Sequence, residues 1–204
     1  MSAPLVLGIA GSPRRNGNSE SLLDAVLAGA SAQGARVSKL VAIEHHIMPC
    51  TGCNSCSDTG ECILRDDMEH VYAAIDAADA LIVASPVFFA TVPAALKLIY
   101  DRMQPYWAAV HVLGHPRPQR RPGGLLLVRG GGDPYGFTGA EHTSGSVLAV
   151  LGIDILGEVN ASNVDAAGEI ARHPDVLEAA TGLGAVIVRE ARARTPFRGD
   201  RPSA

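Results

Sequence analysis

Short, continuous apolar runs alternate with stretches of helical periodicity along most of this chain, and that alternation constrains the fold more than any other feature. "APLVLGIA" (3–10) leads through a turn-rich loop into Leu22, Leu23, Val26, Leu27 and Ala30 at helical spacing, with Asn18 or Ser19 placed to cap the helix. "ARVSKLVAI" (35–43), "DALIVASP" (79–86), "GLLLVRGG" (124–131) and "IDILGEVN" (153–160) read as further strands. Helices are predicted over 66–77, over 93–103 with Pro93 in its first turn, over 141–151 and over 174–191. Strands buried on both faces read as unbroken apolar runs, and strict strand–helix alternation builds a parallel sheet. The expected fold class is therefore α/β, a doubly wound five-stranded parallel sheet, with a cysteine-rich loop (45–64) inserted after strand 2. Right-handed crossovers bring the loops after strands 1, 3 and 4 to one sheet edge, where ligands bind in such folds.

A chain of 204 residues, 47% of them hydrophobic, suffices for one domain, expected over 1–194, with an Arg/Gly/Pro-rich tail at 195–204 expected to fray. No apolar run is long enough to span a bilayer. The first apolar run is strand-sized with no basic residue before it, so no signal peptide is expected and a cytoplasmic setting is. A net charge of −4 argues against nucleic acid as the main partner.

"GSPRRNGNS" (11–19) lies between the first strand and the first helix. Unpaired amides at a helix N-terminus favour an anion. Ser12, Asn18 and Ser19 add polar donors, and Arg14 adds a fork that can hold two phosphate oxygens. The loop lacks both the Gly-Lys-Ser/Thr ending of a P-loop and GxGxxG, which favours a monophosphate over a dinucleotide. A serine-capped turn with solvated arginines is the alternative.

After strand 3, "SPVFFATVPAALK" (85–97) sends Val87, Phe88 and Phe89 toward the same edge, where they could face a flat heteroaromatic ring or serve as ordinary core or interface aromatics. After strand 4, the glycines of "RGGGDPYGF" (129–137) let backbone approach a ligand closely, and Tyr135 could stack there.

All the cysteines fall in "CTGCNSCSDTGEC", as Cys50-x2-Cys53-x2-Cys56-x5-Cys62. One tetrahedral zinc usually draws ligands from two separated knuckles, and x2-x2 spacing is crowded for a single ion. A cubane offers one iron corner per thiolate, and x2-x2 spacing occurs in bacterial ferredoxins. Free thiols or a dithiol/disulfide switch remain open.

"GSPRRNGNSE", "CTGCNSCSDTGEC", "DDME", "SPVFFATVPAALK" and "YDR", in this order, resemble the NADPH-dependent FMN reductase-like branch of the flavodoxin-like fold, and within it the iron-sulfur flavoproteins. The resemblance covers roughly 4–160 and implies FMN, its phosphate on Ser12, Arg14, Asn18 and Ser19. Its ring would lie between Pro86, Val87, Phe88 and Phe89 on one side and Gly130, Gly131 and Gly132 on the other. It also implies a [4Fe–4S] cluster on Cys50, Cys53, Cys56 and Cys62. The commoner family spelling is SPVYF, and Phe88 here stands without that hydroxyl.

The activity so implied is FMN-dependent electron transfer from NAD(P)H or reduced ferredoxin to a small acceptor such as a quinone, oxygen or peroxide, in a homodimer or homotetramer. Two alternatives are a cluster-free NAD(P)H:quinone or azo/nitro reductase, and a flavin-bound redox sensor without turnover. No Ser/His/Asp or paired-carboxylate arrangement stands out, consistent with a flavin carrying the chemistry. His45 and His46 precede the cysteines and could tune a ligand. His111, His115 and His142 read as surface residues. Arg117, Arg120 and Arg121 read as a basic loop, either solvated or meeting the 2′-phosphate of NADPH or an acidic partner.

Overall fold

The apolar runs become β1 (Leu5–Ala10), β2 (Arg36–Val41), β3 (Ala80–Pro86), β4 (Arg121–Val128) and β5 (Ile153–Ala161) in a computed structural model that describes residues 3–194. The tail expected at 195–204 lies outside the described residues. All pairings are parallel and the order is β2-β1-β3-β4-β5, the flavodoxin-like arrangement. The inner strands β3 and β4 are buried along nearly their whole length, while the edge strands β2 and β5 carry exposed and half-buried residues. The buried inner strands accordingly read as continuous apolar runs.

The helices are α1 (Asn18–Ala32), α2 (Cys56–Thr59), α3 (Met68–Ala77), α4 (Ala94–Asp101), α5 (Gln104–His111), α6 (Thr138–Val150) and α7 (Pro174–Ala193), with short 3-10 turns at Ala42–Glu44 and Glu169–Arg172. Successive strand residues face opposite sides. Leu81 and Val83 of β3 join Met68, Ile75, Leu96 and Leu148 of α3, α4 and α6 in one core layer. Ala80, Ile82 and Ala84 join Leu22, Val26, Leu183 and Ile187 of α1 and α7 in the other. Helices α1 and α7 cross so closely that a Cβ on Gly184 would lie 2.1 Å from the Val26 carbonyl oxygen. No helix among the described residues is long and apolar enough to cross a membrane.

Strand β4 begins and ends three residues earlier than the sequence reading places it, and its "PGG" lies inside the strand. The glycines serve packing: a Cβ on Gly123 would meet the Leu81 carbonyl oxygen at 2.4 Å and Ile153 at 2.3 Å. Pro122 precedes the first β3–β4 pair, Leu81↔Gly123, and so sits in the opening turn of the strand where proline is tolerated. Arg121 likewise is no solvated loop residue. It is buried, and its guanidinium donates to the carbonyls of Ile75 and Ala78 at 2.6 and 2.8 Å and of Leu151 at 3.2 Å, closing the C-terminal ends of α3 and α6. Arg120 pairs with Asp154 on the neighbouring strand. Arg121 is therefore committed within the fold, while Arg120 stays at the surface with its side chain 56% exposed.

Candidate functional site

A cleft of about 360 Å³ opens at the C-terminal ends of β1, β3 and β4, where strand order reverses between β1 and β3. The backbone itself ties the three strand ends together: Gly11 N–H donates to the Ala84 carbonyl (2.7 Å), and Val87 N–H donates to the Val128 carbonyl (2.8 Å).

One end of the cleft is the loop before α1. Ser12 and Ser19 are 5% and 3% exposed and line it with Arg14 and Asn18. The Ser12 hydroxyl accepts the Arg14 N–H at 3.0 Å, fixing the turn. Helix α1 begins at an extended Gly17 with no side-chain cap, so its first amides face the cleft region unclaimed by a side chain. The two neighbouring arginines are used differently. Arg15 donates to Glu20 at 3.0 Å and pairs with Glu44, whereas Arg14 forms no ion pair among the described residues. Glu20 is 1% exposed and also accepts the Asn16 N–H (2.7 Å) and Lys39 Nζ (2.9 Å). Burial alone would raise its carboxyl, but the bonds from Lys39, Asn16 and Arg15 outweigh it and hold the group below the usual carboxylate range.

The sequence reading gave the Asn18 carboxamide to an anion. In the fold both its ends are engaged: Nδ2 donates to the Ala166 carbonyl (2.9 Å) and Oδ1 accepts the Ile170 N–H (3.2 Å). It docks the loop after β5, whose Val164, Asp165 and Ala167 complete the wall. That loop escaped the sequence reading, which placed ligand contacts only after strands 1, 3 and 4.

At the other end, Pro86, Val87 and Phe88 face Val128, Arg129 and Gly130. Phe89, Gly131 and Gly132 are not in the lining. Phe89 is 99% exposed because residues 88–91 form a tight turn with reciprocal Phe88–Thr91 backbone bonds, and Phe89 and Ala90 hold φ of 49° and 63°. Two successive left-handed residues define a type I′ turn, usually built from Asn-Gly, so this pair is strained. The Ala90 N–H donates to Asp133 (3.1 Å), joining the loop after β3 to the loop after β4. Tyr135 is also exposed and outside the lining. Arg129 was missed as a site residue. Its guanidinium lies 5.3 Å from the Phe137 ring, and its Nε is buried without a hydrogen-bond partner among the described residues.

A second cavity, about 370 Å³, is lined by all four cysteines together with Arg102, Gln104, Pro105 and Trp107. The thiols are free, Cys50 and Cys53 exposed and Cys56 and Cys62 half-buried. Positive φ at Gly52, Asn54 and Gly60 turns the loop back on itself. Both ends of the loop are pinned by one buried pair. Arg102 donates to Asp66 (2.7 and 3.2 Å), to the Met48 carbonyl (2.9 Å) and to the Leu64 carbonyl (3.4 Å), while Asp66 accepts the Met48 N–H at 2.8 Å. Burial would raise the Asp66 carboxyl, but Arg102 and the Met48 and Met68 amides hold it low. Hydrogen bonding to Ser55 lowers the Cys53 thiol, while burial and the charges of Cys62, Cys50 and Cys53 push Cys56 up. Among the described residues no three His, Cys, Asp or Glu side chains are gathered tightly enough to hold a single metal ion. His45 and His46 do not line the cavity.

The NADPH-dependent FMN reductase family matches residues 4–165. An iron-sulfur flavoprotein of Archaeoglobus fulgidus is 39% identical over 153 residues, 74% of this chain and 65% of that protein. An iron-sulfur flavoprotein of Methanosarcina thermophila is 37% identical over 97 residues, 48% of this chain and 51% of its own length. The chain thus spans under two thirds of either relative. Among solved structures, an NADH:FMN oxidoreductase in its apo form superposes with a TM-score of 0.67 at 18% identity, over 97% of this chain and 95% of that one. An NAD(P)H:quinone oxidoreductase from Methanothermobacter marburgensis gives 0.62 at 19% identity, over 90% and 96%. At such identities the structural likeness carries the fold.

Proposed function

Because the chain belongs to the NADPH-dependent FMN reductase family, we propose that it is an FMN-dependent oxidoreductase whose cysteine loop carries a [4Fe–4S] cluster. The electron donor is NAD(P)H or reduced ferredoxin, and the acceptor is a small molecule such as a quinone, oxygen or peroxide. The observation that carries the reading is the cleft at the strand-order reversal, which joins uncapped α1 amides and two buried serines at one end to an apolar Pro86–Phe88 wall at the other. A phosphate tail and a flat ring need that division.

When bound, FMN supplies hydride and single-electron chemistry, and a [4Fe–4S] cluster supplies single-electron transfer. The chain's own groups do the positioning. Ser12, Ser19 and the backbone amide of Asn18 hold the phosphate, and Arg14, without a carboxylate partner among the described residues, supplies its countercharge. Pro86, Val87 and Phe88 exclude water from one side of the ring site, and Gly130 lets backbone close on the other. The buried, unpartnered Nε of Arg129 fits a ligand acceptor. Cys50, Cys53, Cys56 and Cys62 surround a volume rather than converge on a point, which suits a cluster with one iron per thiolate.

The FMN-binding unit is placed at 1–194, with the cysteine loop at 45–64. The exposed Ile63, Phe89 and Trp107 support assembly as a homodimer or homotetramer, and clustered free thiols support a reducing, cytoplasmic setting. A cluster-free NAD(P)H:quinone reductase is the second reading, favoured by the free thiols, of which Cys50 and Cys53 are exposed. An anaerobic absorption spectrum with FMN, iron and sulfide quantified per chain tests both. FMN with a full complement of iron and sulfide supports the first. Yellow, iron-free protein leaves the second, and colourless protein that takes up no FMN refutes both.

A further inference from the structure

The pair that pins the cysteine loop contains one polar atom that nothing among the described residues satisfies. Arg102 is 1% exposed. Its two terminal nitrogens are consumed by Asp66, Met48 and Leu64. Its Nε is buried with no hydrogen-bond partner among the described residues, and the residue lines the same cavity as the cysteines. A buried donor left unmade is strongly unfavourable, and native proteins keep one mainly where a ligand or a function takes it up.

Resting on the cluster reading above, we propose that Arg102 is a positioning residue for that centre: its Nε–H donates to a cysteinyl or inorganic sulfur of the cluster and thereby sets the reduction potential. Reduction adds one electron and no proton, since the guanidinium stays protonated in both states. A donor aimed at sulfur stabilises the more negative reduced state and raises the potential. Asp66 balances the charge of Arg102 in the same fork, so the effect belongs to the directed N–H rather than to a net positive charge. Lysine at this position keeps the charge and can still pair with Asp66 but has no Nε–H. The substitution therefore separates the two contributions.

The test uses anaerobically purified, iron-replete protein. In the reduced wild type labelled with 15N-arginine, pulsed EPR should detect a 15N hyperfine coupling to the cluster, and R102K should lose it. The cluster's midpoint potential in R102K should become more negative by about tenfold in the one-electron equilibrium, ~59 mV, with FMN content unchanged. A purely structural role would lower iron content or melting temperature and leave the potential of the remaining clusters where it was. An iron-replete wild type without the coupling overturns the proposal, as does an iron-replete R102K with an unaltered potential. If R102K holds no iron, the wild-type coupling decides alone, its presence supporting the role and its absence refuting it. Wild type that never contains iron overturns the cluster reading itself, and this proposal with it.

Discussion

The two cavities are nearly equal in volume, about 360 and 370 Å³, yet they are built in opposite ways. The strand-end cleft is made by the sheet. Its walls are the first residues beyond β1, β3 and β4, cross-linked by backbone bonds that any sequence folding this way would form. The cysteine side of the other cavity has almost no secondary structure beyond the four-residue α2, and it faces Gln104, Pro105 and Trp107 of α5. Its loop is held closed by one guanidinium–carboxylate pair gripping both ends. One site is thus a property of the fold, and the other a property of two side chains. Perturbations should separate them.

The largest separation is expected from D66A. Removing one partner of a buried pair leaves an uncompensated charge, at about 3–5 kcal/mol. Amide exchange should rise across 48–64 and iron should be lost, with FMN retained. Loss of FMN in parallel would mean that the two sites are one cooperative unit.

Next in size is the contrast between neighbouring arginines. R14A should weaken FMN binding about 10- to 100-fold, the loss of a charge-assisted bond of ~1.5–3 kcal/mol, and leave iron content unchanged. R15A should weaken FMN binding less, because Glu20 and Glu44 already neutralise Arg15. Equal losses by fluorescence titration would contradict the assignment of Arg14 as the phosphate's countercharge.

Acid should also distinguish the regions. The Asp66 and Glu20 carboxyls both lie below their ordinary values in the fold. Each therefore contributes stability that is complete above the unfolded value, about 4, and is lost as pH falls through the lower folded value. In iron-free protein, exchange across 48–64 should accelerate as pH drops through that window. D66N should remove the acid dependence of that loop, because its carboxyl no longer titrates. An unchanged pH profile in D66N would place the controlling group elsewhere.

The smallest effect is expected at the strained turn. A90G relieves one left-handed non-glycine residue and should stabilise the protein by about 1 kcal/mol in thermal melts. A destabilised A90G would show that the turn carries no strain.

How much of this was legible follows from the same contrast. The sheet and its strand-end cleft announce themselves through local periodicity, and Ser12, Arg14, Ser19, Pro86, Val87, Phe88 and Gly130 fall where the alternation places them. Phe89 missed the lining because a type I′ turn without glycine gives no local signal. Asn18 sits in the right place, but its carboxamide serves a loop 148 residues away. The Asp66–Arg102 clamp spans 36 residues. Its trace in the sequence was the "DDME" and "YDR" stretches, which periodicity alone does not join. Arg121 shows the converse: a basic, proline-rich neighbourhood suggested solvent, but the carbonyls at two helix ends drew the guanidinium inside.

If the strand-end cleft and the cysteine cavity bind their proposed groups independently, the C53A/C56A double variant, assayed anaerobically for FMN, iron and sulfide per chain against the wild type, separates them. The expected result is wild-type FMN content with iron and sulfide gone. Iron retained without those thiols, or FMN lost along with the iron, would contradict it.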